Sequence, residues 1–151
     1  MPPMPLRLAE LDTRVGEEIG VSSWFVVDQQ RIDRFARAID DRQWIHVDPA
    51  RAKSGPFGAT IAHGFLTLSL LSHLLESTFS FEDATTGINY GLDRVRFTAP
   101  LPAGSRIRAR FMLRSLEPLD GGGIQSAWNV VVEREGSAKP VLVAEWLLRN
   151  H

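Results

Sequence analysis

The 151-residue chain contains no cysteine, which excludes disulfide bonds and thiol catalysis. It also lacks a run of charge of one sign, because its formal net charge is −1 and its lysines and arginines are scattered. We therefore expect no nucleic-acid partner and no membrane partner. The N-terminal segment has no apolar core of a secretory signal, and together with the missing cysteines this favours a cytoplasmic location.

Residues 54–75 contain no Asp, Glu, Lys or Arg, which raises the question of a membrane span. Gly, Pro, Ser and His residues interrupt this stretch, and its continuous apolar part is shorter than the roughly 20 residues that cross a bilayer. We interpret it as a buried helix over 63–78, because leucines surround nearly the whole circumference. These leucines are Leu66, Leu68, Leu70, Leu71, Leu74 and Leu75.

The C-terminal half of the chain has the character of β-strands separated by turns rich in Gly and Pro. The predicted strands are 88–97, 105–117, 124–135 and 140–149. Apolar residues alternate with arginines over 106–113, which is typical of an antiparallel sheet with one solvated face. The Gly-rich segment 120–123 precedes a strand, so it is predicted to be a hairpin turn and not a phosphate loop. Since the leucine-rich helix is the only candidate to cover this sheet, we predict an α+β fold with the sheet wrapped around one central helix.

The N-terminal half is predicted to contain a short helix over 6–13 and a strand over 23–27. Asp28 can cap a third element, an amphipathic helix that stops near Asp40. Its apolar stripe is Ile32, Phe35, Ala36 and Ile39. Asp48 and Pro49 then have the residue types of a helix N-cap and a first helical position. Residues 41–47 are therefore predicted to bridge two helices.

Asp41 and His46 lie in this bridge, five positions apart. On a continuous helix they would point about 140° away from each other. On a bridge, however, both side chains can point at a common centre and hold one water molecule. An ion pair at a helix end is the alternative interpretation of the two residues.

The segment FARAIDDRQWIHVDPARAKSGPFGATIAHGFLTLSLL (35–71) resembles the hydratase signature of the MaoC-like, hot-dog-fold (R)-specific enoyl-CoA hydratases. Its QWIHVDP and GPFG parts are similar to the NodN-like branch, and the resemblance continues through INYGLDRVRFTAPLPAGSRIRA (88–109). It implies a single hot-dog domain over 1–151 and a homodimer in which two sheets pair edge to edge. The sequence departs from the usual pattern at Asp40, where the family has Gly, and at Gln43-Trp44, where it commonly has Asn-Pro.

The resemblance implies that Asp41 and His46 are catalytic and that the backbone N–H of Gly64 receives the thioester oxygen. Ser72 is expected to line the pocket by the same analogy. The implied reaction is hydration of trans-2-enoyl-CoA to (3R)-hydroxyacyl-CoA, with an acyl-CoA substrate, no cofactor and no metal. A carboxylate and an imidazole that share one water can activate it at C3 and move a proton to C2.

Two other functions remain open from the sequence. One is a (3R)-hydroxyacyl thioester dehydratase that acts on a carrier protein, because hydration and dehydration share a transition state. The other is an acyl-CoA-binding protein with the same fold and no activity. Thioester hydrolysis is disfavoured because residues 60–75 contain no carboxylate.

Several further polar residues are interpreted as structural. His63 is expected to cap or support the central helix, and His73 to pack or to lie in an interface. Arg94 and Arg96 are expected on a solvated strand face or near CoA phosphates. A metal site made of His46, Asp48 and His63 is disfavoured, because no second close pair of possible ligands accompanies it.

Overall fold

A computed structural model describes residues 2–151 of the chain. Its strands are β1 Met4–Leu6, β2 Glu18–Val21, β3 Phe25–Val27, β4 Phe79–Phe81, β5 Gly87–Arg96, β6 Ser105–Pro118, β7 Ile124–Arg134 and β8 Leu142–Asn150. Its α-helices are α1 Gln29–Ile39, α2 Trp44–Val47, α3 Pro49–Lys53, α4 Gly64–Ser69 and α5 Leu71–Thr78, and a 3₁₀ helix covers Leu8–Arg14. No helix within these residues is long and apolar enough to cross a membrane.

The main sheet is antiparallel, with strand order β2-β6-β7-β8-β5, and β3 also pairs with β6. The four strands predicted from the sequence are β5 to β8, and the turn at 120–123 joins β6 to β7 as expected. The alternation along β6 places one set of side chains in the core without solvent exposure. This set is Ile107, Ala109, Phe111 and Leu113.

The central helix lies against the inner face of this sheet and shares one hydrophobic core with it. Where the sequence predicted a single helix over 63–78, the structure has α4 and α5, which meet at Leu70. Hydrogen bonds from Leu70 N to Leu66 O and from Leu74 N to Leu70 O continue the helical pattern through the junction. Five of the six leucines are buried and Leu68 is half-buried, so the sheet and helices cover nearly the whole circumference. The predicted α+β fold, with the sheet wrapped around a central helix, is confirmed.

The predicted caps of α1 and α3 are also confirmed. Asp28 Oδ1 accepts a hydrogen bond from Arg31 N at the start of α1, and Asp48 Oδ1 accepts one from Arg51 N at the start of α3. These contacts satisfy backbone donors that a helix leaves free in its first turn.

Two local predictions need correction, and one pair of strands was not predicted. Residues 41–47 are not a loop throughout, because Trp44–Val47 form the short helix α2. The short helix expected over 6–13 is a 3₁₀ helix over Leu8–Arg14. A parallel pair of β1 with β4 was not predicted, because three-residue strands carry too little periodicity to be recognised.

Candidate active site

The chain turns sharply just before Asp41. Helix α1 ends at Asp40, whose backbone is left-handed (φ 59°, ψ 27°) and is the only non-glycine residue of 2–151 with positive φ. Glycine adopts this conformation without steric cost, and glycine is the residue that the family resemblance implies at this position. The turn leaves the Asp41 side chain about half exposed, and its Oδ1 lies 3.4 Å from Gln43 N, a long hydrogen bond.

His46 is buried in α2, and its backbone contacts define its tautomer. Its Nδ1 lies 2.7 Å from the carbonyl oxygen of Ile61. Because a carbonyl only accepts, Nδ1 must carry the proton, which leaves the lone pair on Nε2. Burial lowers the pKa of His46, and the nearby His63 lowers it further, while the Ile61 carbonyl and Asp41 act in the opposite direction. His46 is therefore a neutral imidazole at neutral pH, with Nε2 as its acceptor.

A set of hydrogen bonds holds α2 against the start of α1 and the segment before α4. The side-chain amide of Gln29 donates to the His46 carbonyl at 2.7 Å, and its oxygen accepts from the Thr60 hydroxyl. Ile61 N donates to the Ile45 carbonyl at 3.0 Å. These three hydrogen bonds and the bond from His46 Nδ1 to the Ile61 carbonyl are together called the brace of α2. No local sequence pattern indicates the brace, because its partners lie 15 to 31 positions apart.

His63 is part of the same cluster, although the sequence favoured a structural role over a catalytic one for it. It occupies the N-cap position of α4, and its Nε2 donates to the backbone carbonyl of Asp41 at 2.9 Å. Its ring stacks on the His46 ring, with centroids 3.8 Å apart and an angle of 21°. The Phe35 ring meets the same imidazole edge-on at 5.2 Å. The signal that could have identified His63 is its position directly before Gly64.

Asp41 Oδ2 lies 4.0 Å from Nε2 of His46 and 4.0 Å from Nε2 of His63. Both distances are too long for hydrogen bonds, but a water molecule can bond to groups at such a separation. The three residues each offer one ligand atom within 4.8 Å of the others, and imidazole and carboxylate are donors that zinc accepts. Asp48, which the sequence placed in a metal set with His46 and His63, lies outside this group and caps α3 instead.

Gly64 is the first residue of α4, directly after His63. Within residues 2–151 its N–H donates no hydrogen bond, as expected at the first position of a helix. A Cβ at this position would lie 3.0 Å from the Phe97 ring, so only glycine fits without a shift of that ring. A groove of ≈ 350 Å³ opens beside Gly64 and is mostly apolar. Phe57, Ile61, Thr67, Phe97 and Leu101 are among its lining residues.

The remaining candidate residues lie elsewhere in the fold. Ser72 is exposed on α5 and lines another groove with Asn89 and Trp146. His73 packs its ring against Phe25 at 4.8 Å, as a packing role requires. The exposed Arg94 and Arg96 lie on β5.

Comparison with known proteins gives clear relatives. The MaoC-like domain family matches residues 10–131. The 3-hydroxyacyl-thioester dehydratase Z of Mycobacterium tuberculosis is 49% identical over 142 residues, which cover 94% of each chain. The nodulation protein N of Rhizobium leguminosarum bv. viciae is 48% identical over 144 residues, covering 94% of this chain and 89% of the relative. The resemblance found in 35–71 and 88–109 is therefore confirmed.

Solved structures agree on the fold. The (R)-hydratase from A. caviae involved in PHA biosynthesis superposes with a TM-score of 0.72 at 22% identity, covering 89% of this chain and 94% of that one. The monoamine oxidase regulatory protein from Archaeoglobus gives a TM-score of 0.76 at 23% identity, covering 99% and 97%. At these identities the likeness shows the fold alone, and that fold is the hot-dog fold predicted above.

Proposed function

The chain belongs to the MaoC-like domain family, and on that basis we propose that it hydrates trans-2-enoyl-CoA reversibly to (3R)-hydroxyacyl-CoA. Membership already makes it an enzyme of the hydratase and dehydratase class. The observation that supports this specific reaction is the distance of 4.0 Å between Asp41 Oδ2 and His46 Nε2. His63 belongs to the same cluster and directly precedes Gly64, whose N–H donates no hydrogen bond within residues 2–151. Asp41 and His46 are the proposed catalytic residues.

The two side chains offer acceptors for both protons of one water molecule. A carboxylate at Asp41 accepts one hydrogen, and the lone pair on His46 Nε2 accepts the other. The oxygen lone pair is then free to attack C3 of the enoyl group. Asp41 takes the proton as the C3–O bond forms, and His46 orients the water and shares in the proton transfer. This division of roles depends on the bond between His46 Nδ1 and the Ile61 carbonyl, because that bond leaves Nε2 unprotonated.

The same proton completes the reaction at C2. Attack at C3 moves electron density through the double bond onto the thioester oxygen, which becomes enolate-like. The Gly64 N–H is proposed to donate to this oxygen, and removal of one such donor typically costs about 2.7–4 kcal/mol of barrier. When the enolate collapses, the protonated pair returns its proton to C2, so that one water is added and the pair is restored. Dehydration follows the same steps in reverse.

The second candidate is dehydration of a (3R)-hydroxyacyl thioester as the physiological direction. It is favoured by the name of the relative at 49% identity, a 3-hydroxyacyl-thioester dehydratase. That name specifies neither CoA nor a carrier protein, so the carrier is part of the proposal. We further propose a homodimer in the cytoplasm, with Ser72 on the wall that the acyl chain reaches.

The first experiment is an assay of purified protein with trans-2-enoyl-CoAs of short and medium chain length. Loss of the conjugated thioester absorbance reports hydration, and a stereospecific dehydrogenase reports the handedness of the product. Asp41→Asn and His46→Gln should each reduce kcat by at least about 10²-fold, the usual contribution of acid–base catalysis. Both variants should keep the thermal transition of the parent protein.

Matched controls exist for both substitutions. Asp40→Asn removes the neighbouring exposed carboxylate, and His73→Gln removes an imidazole outside the cluster; each should leave kcat within a factor of about two. Full activity of Asp41→Asn and His46→Gln would refute the proposed mechanism. A folded protein that turns over no CoA thioester, but does turn over a carrier-protein thioester, would establish the second candidate.

A further inference from the structure

Helix α1 carries three arginines that the fold does not neutralise. The helix contains Arg31, Arg34 and Arg37 but a single acidic residue, Asp33, although the net charge of the whole chain is −1. All three are exposed, and within residues 2–151 none of them forms an ion pair. Asp33 instead accepts a hydrogen bond from the Gln29 side chain at 2.9 Å. The helix therefore presents net positive charge to solvent.

Two of these arginines border a groove between α1 and α4. Arg31 and Arg34 line it together with Phe35, Ala38 and Leu66, and its volume is ≈ 300 Å³. The Arg31 guanidinium carbon lies 4.9 Å from the centre of the Phe25 ring, a cation–π contact that orients it. Asp28 also lines the groove, but its Oδ1 is engaged by the backbone N–H of Arg31. The groove is thus lined by apolar side chains and by two guanidinium groups.

One wall of this groove adjoins the candidate active site. The Phe35 ring contacts the His63 ring, and Leu66 lies two residues after Gly64. Since a helix rises 1.5 Å per residue, Arg34 and Arg31 lie about 8 and 12 Å along α1 before its last residue, Ile39, after which the chain turns into Asp41. An extended pantetheine arm, roughly thirteen bonds from sulfur to the first phosphorus, spans about 15 Å at 3.3–3.6 Å for each three bonds. The arm is therefore long enough to reach either arginine from a thioester held near the end of α1.

We propose that this groove binds the pantetheine arm of CoA and that Arg31 and Arg34 bind its phosphates. This inference rests on the enoyl-thioester chemistry proposed for the site. The apolar side chains of the groove suit the methylene and methyl groups of the arm, and the planar guanidinium fork suits phosphate oxygens. CoA presents several phosphate groups at the end of the arm, whereas a carrier protein presents a single phosphodiester. Unpaired arginines in this place therefore favour CoA as the carrier.

The test compares two thioesters of the same short enoic acid, one with CoA and one with N-acetylcysteamine, which lacks the phosphates. In the full chain, Arg34→Ala and Arg31→Ala should each raise KM for the CoA thioester about tenfold, the equivalent of 1.4 kcal/mol. The value of kcat should stay within a factor of about two, because neither arginine touches the reacting atoms. KM for the N-acetylcysteamine thioester should not change. Arg106→Ala, which removes an exposed arginine on β6, is the matched control and should affect neither substrate.

An unchanged KM for the CoA thioester would overturn the proposal, and so would an equal loss on both substrates. A loss confined to a carrier-protein thioester would show that the surface docks a protein instead. If the parent chain turns over neither thioester, the proposed reaction fails, and calorimetric binding of CoA itself still tests the groove. Weaker binding of CoA by Arg34→Ala than by Arg106→Ala would then support the groove, and equal binding would refute it.

Discussion

At the scale of single residues, the surroundings of the His46 ring determine both its tautomer and its protonation state. The Ile61 carbonyl fixes the proton on Nδ1, while burial and the stacked His63 ring disfavour a second proton. Asp41 Oδ2, 4.0 Å from His46 Nε2, acts in the opposite direction, because a nearby carboxylate favours the protonated imidazole when His46 shares in proton transfer. The cluster thus places a neutral histidine next to the carboxyl group of Asp41.

This arrangement predicts the pH dependence of activity. The pKa of His46 lies below its ordinary value of 6.5, and its neutral form is the active one. Hence the decrease of kcat/KM on acidification should have its midpoint below pH 6.5. His63→Gln keeps a donor for the Asp41 carbonyl but removes the imidazole that lowers the pKa of His46, so the midpoint of the decrease at acidic pH should move to higher pH.

The measurement is kcat/KM across the range from about pH 5 to pH 9 for the parent, His63→Gln and His73→Gln. His73→Gln should reproduce the parent profile, because this residue packs against Phe25 and lies outside the cluster. A His63→Gln profile that is lower at every pH but unshifted would assign His63 a purely structural role.

The residues of the site differ in how far the sequence could identify them. Asp41, His46 and Gly64 occupy positions of a recognisable motif, so the sequence alone is enough to propose them. The contacts of His63 and Gln29 are different, because each depends on the folding of distant segments onto one another. His63 lies 22 positions from the carbonyl that it binds, and Gln29 lies 17 positions from its partner. Spacing along the chain carries no information about such pairs.

At the scale of secondary-structure elements, the end of α1 contains a strained residue. Left-handed backbone costs a residue with a Cβ roughly 1–2 kcal/mol, and Asp40 adopts it. Asp40→Gly should raise the free energy of unfolding by about 0.5–1 kcal/mol, after the greater flexibility of glycine in the unfolded chain is counted. The exposed ion pair between Asp40 and Arg42, at 3.1 Å, contributes little to oppose this gain.

Urea denaturation of the parent, Asp40→Gly and Asp40→Ala measures the effect. Asp40→Ala loses the same ion pair but keeps a Cβ, so it should be no more stable than the parent. An Asp40→Gly protein that unfolds at a lower urea concentration than the parent would show that the carboxylate, and not the backbone, matters at this turn.

Elements with strong local signals were predicted well, and those that depend on tertiary contacts were not. Asp28 and Asp48 cap helices through their own nearby backbone, and the alternation in β6 is visible within one segment. By contrast, α2 has four residues, and a helix so short is stable only because the brace from Gln29 and Ile61 holds it. The same reasoning applies to the pair of β1 and β4, which are three residues long.

At the scale of the whole molecule, the main sheet has an exposed edge at β5. Within residues 2–151 this strand pairs only with β8. This strand carries exposed apolar side chains, since Ile88, Tyr90 and Leu92 are 50%, 52% and 36% exposed. A strand edge without a partner and with apolar side chains readily pairs with another strand. Phe97, directly after β5, is 48% exposed and lies against Gly64. The exposed edge and the groove beside Gly64 are therefore neighbours.

We expect two copies of the chain to pair through β5, which would cover this edge and narrow the groove. The double substitution Ile88→Lys with Leu92→Lys places charges in the contact, so it should convert a dimer of 16.8 kDa subunits into a monomer and reduce activity with it. Val26→Lys is the matched control, because Val26 is 49% exposed on β3 and lies away from β5. Gel filtration with light scattering at micromolar concentration measures the mass. A parent that runs as a monomer would refute the dimer, and a monomeric but fully active variant would show that the groove beside Gly64 is complete within one chain.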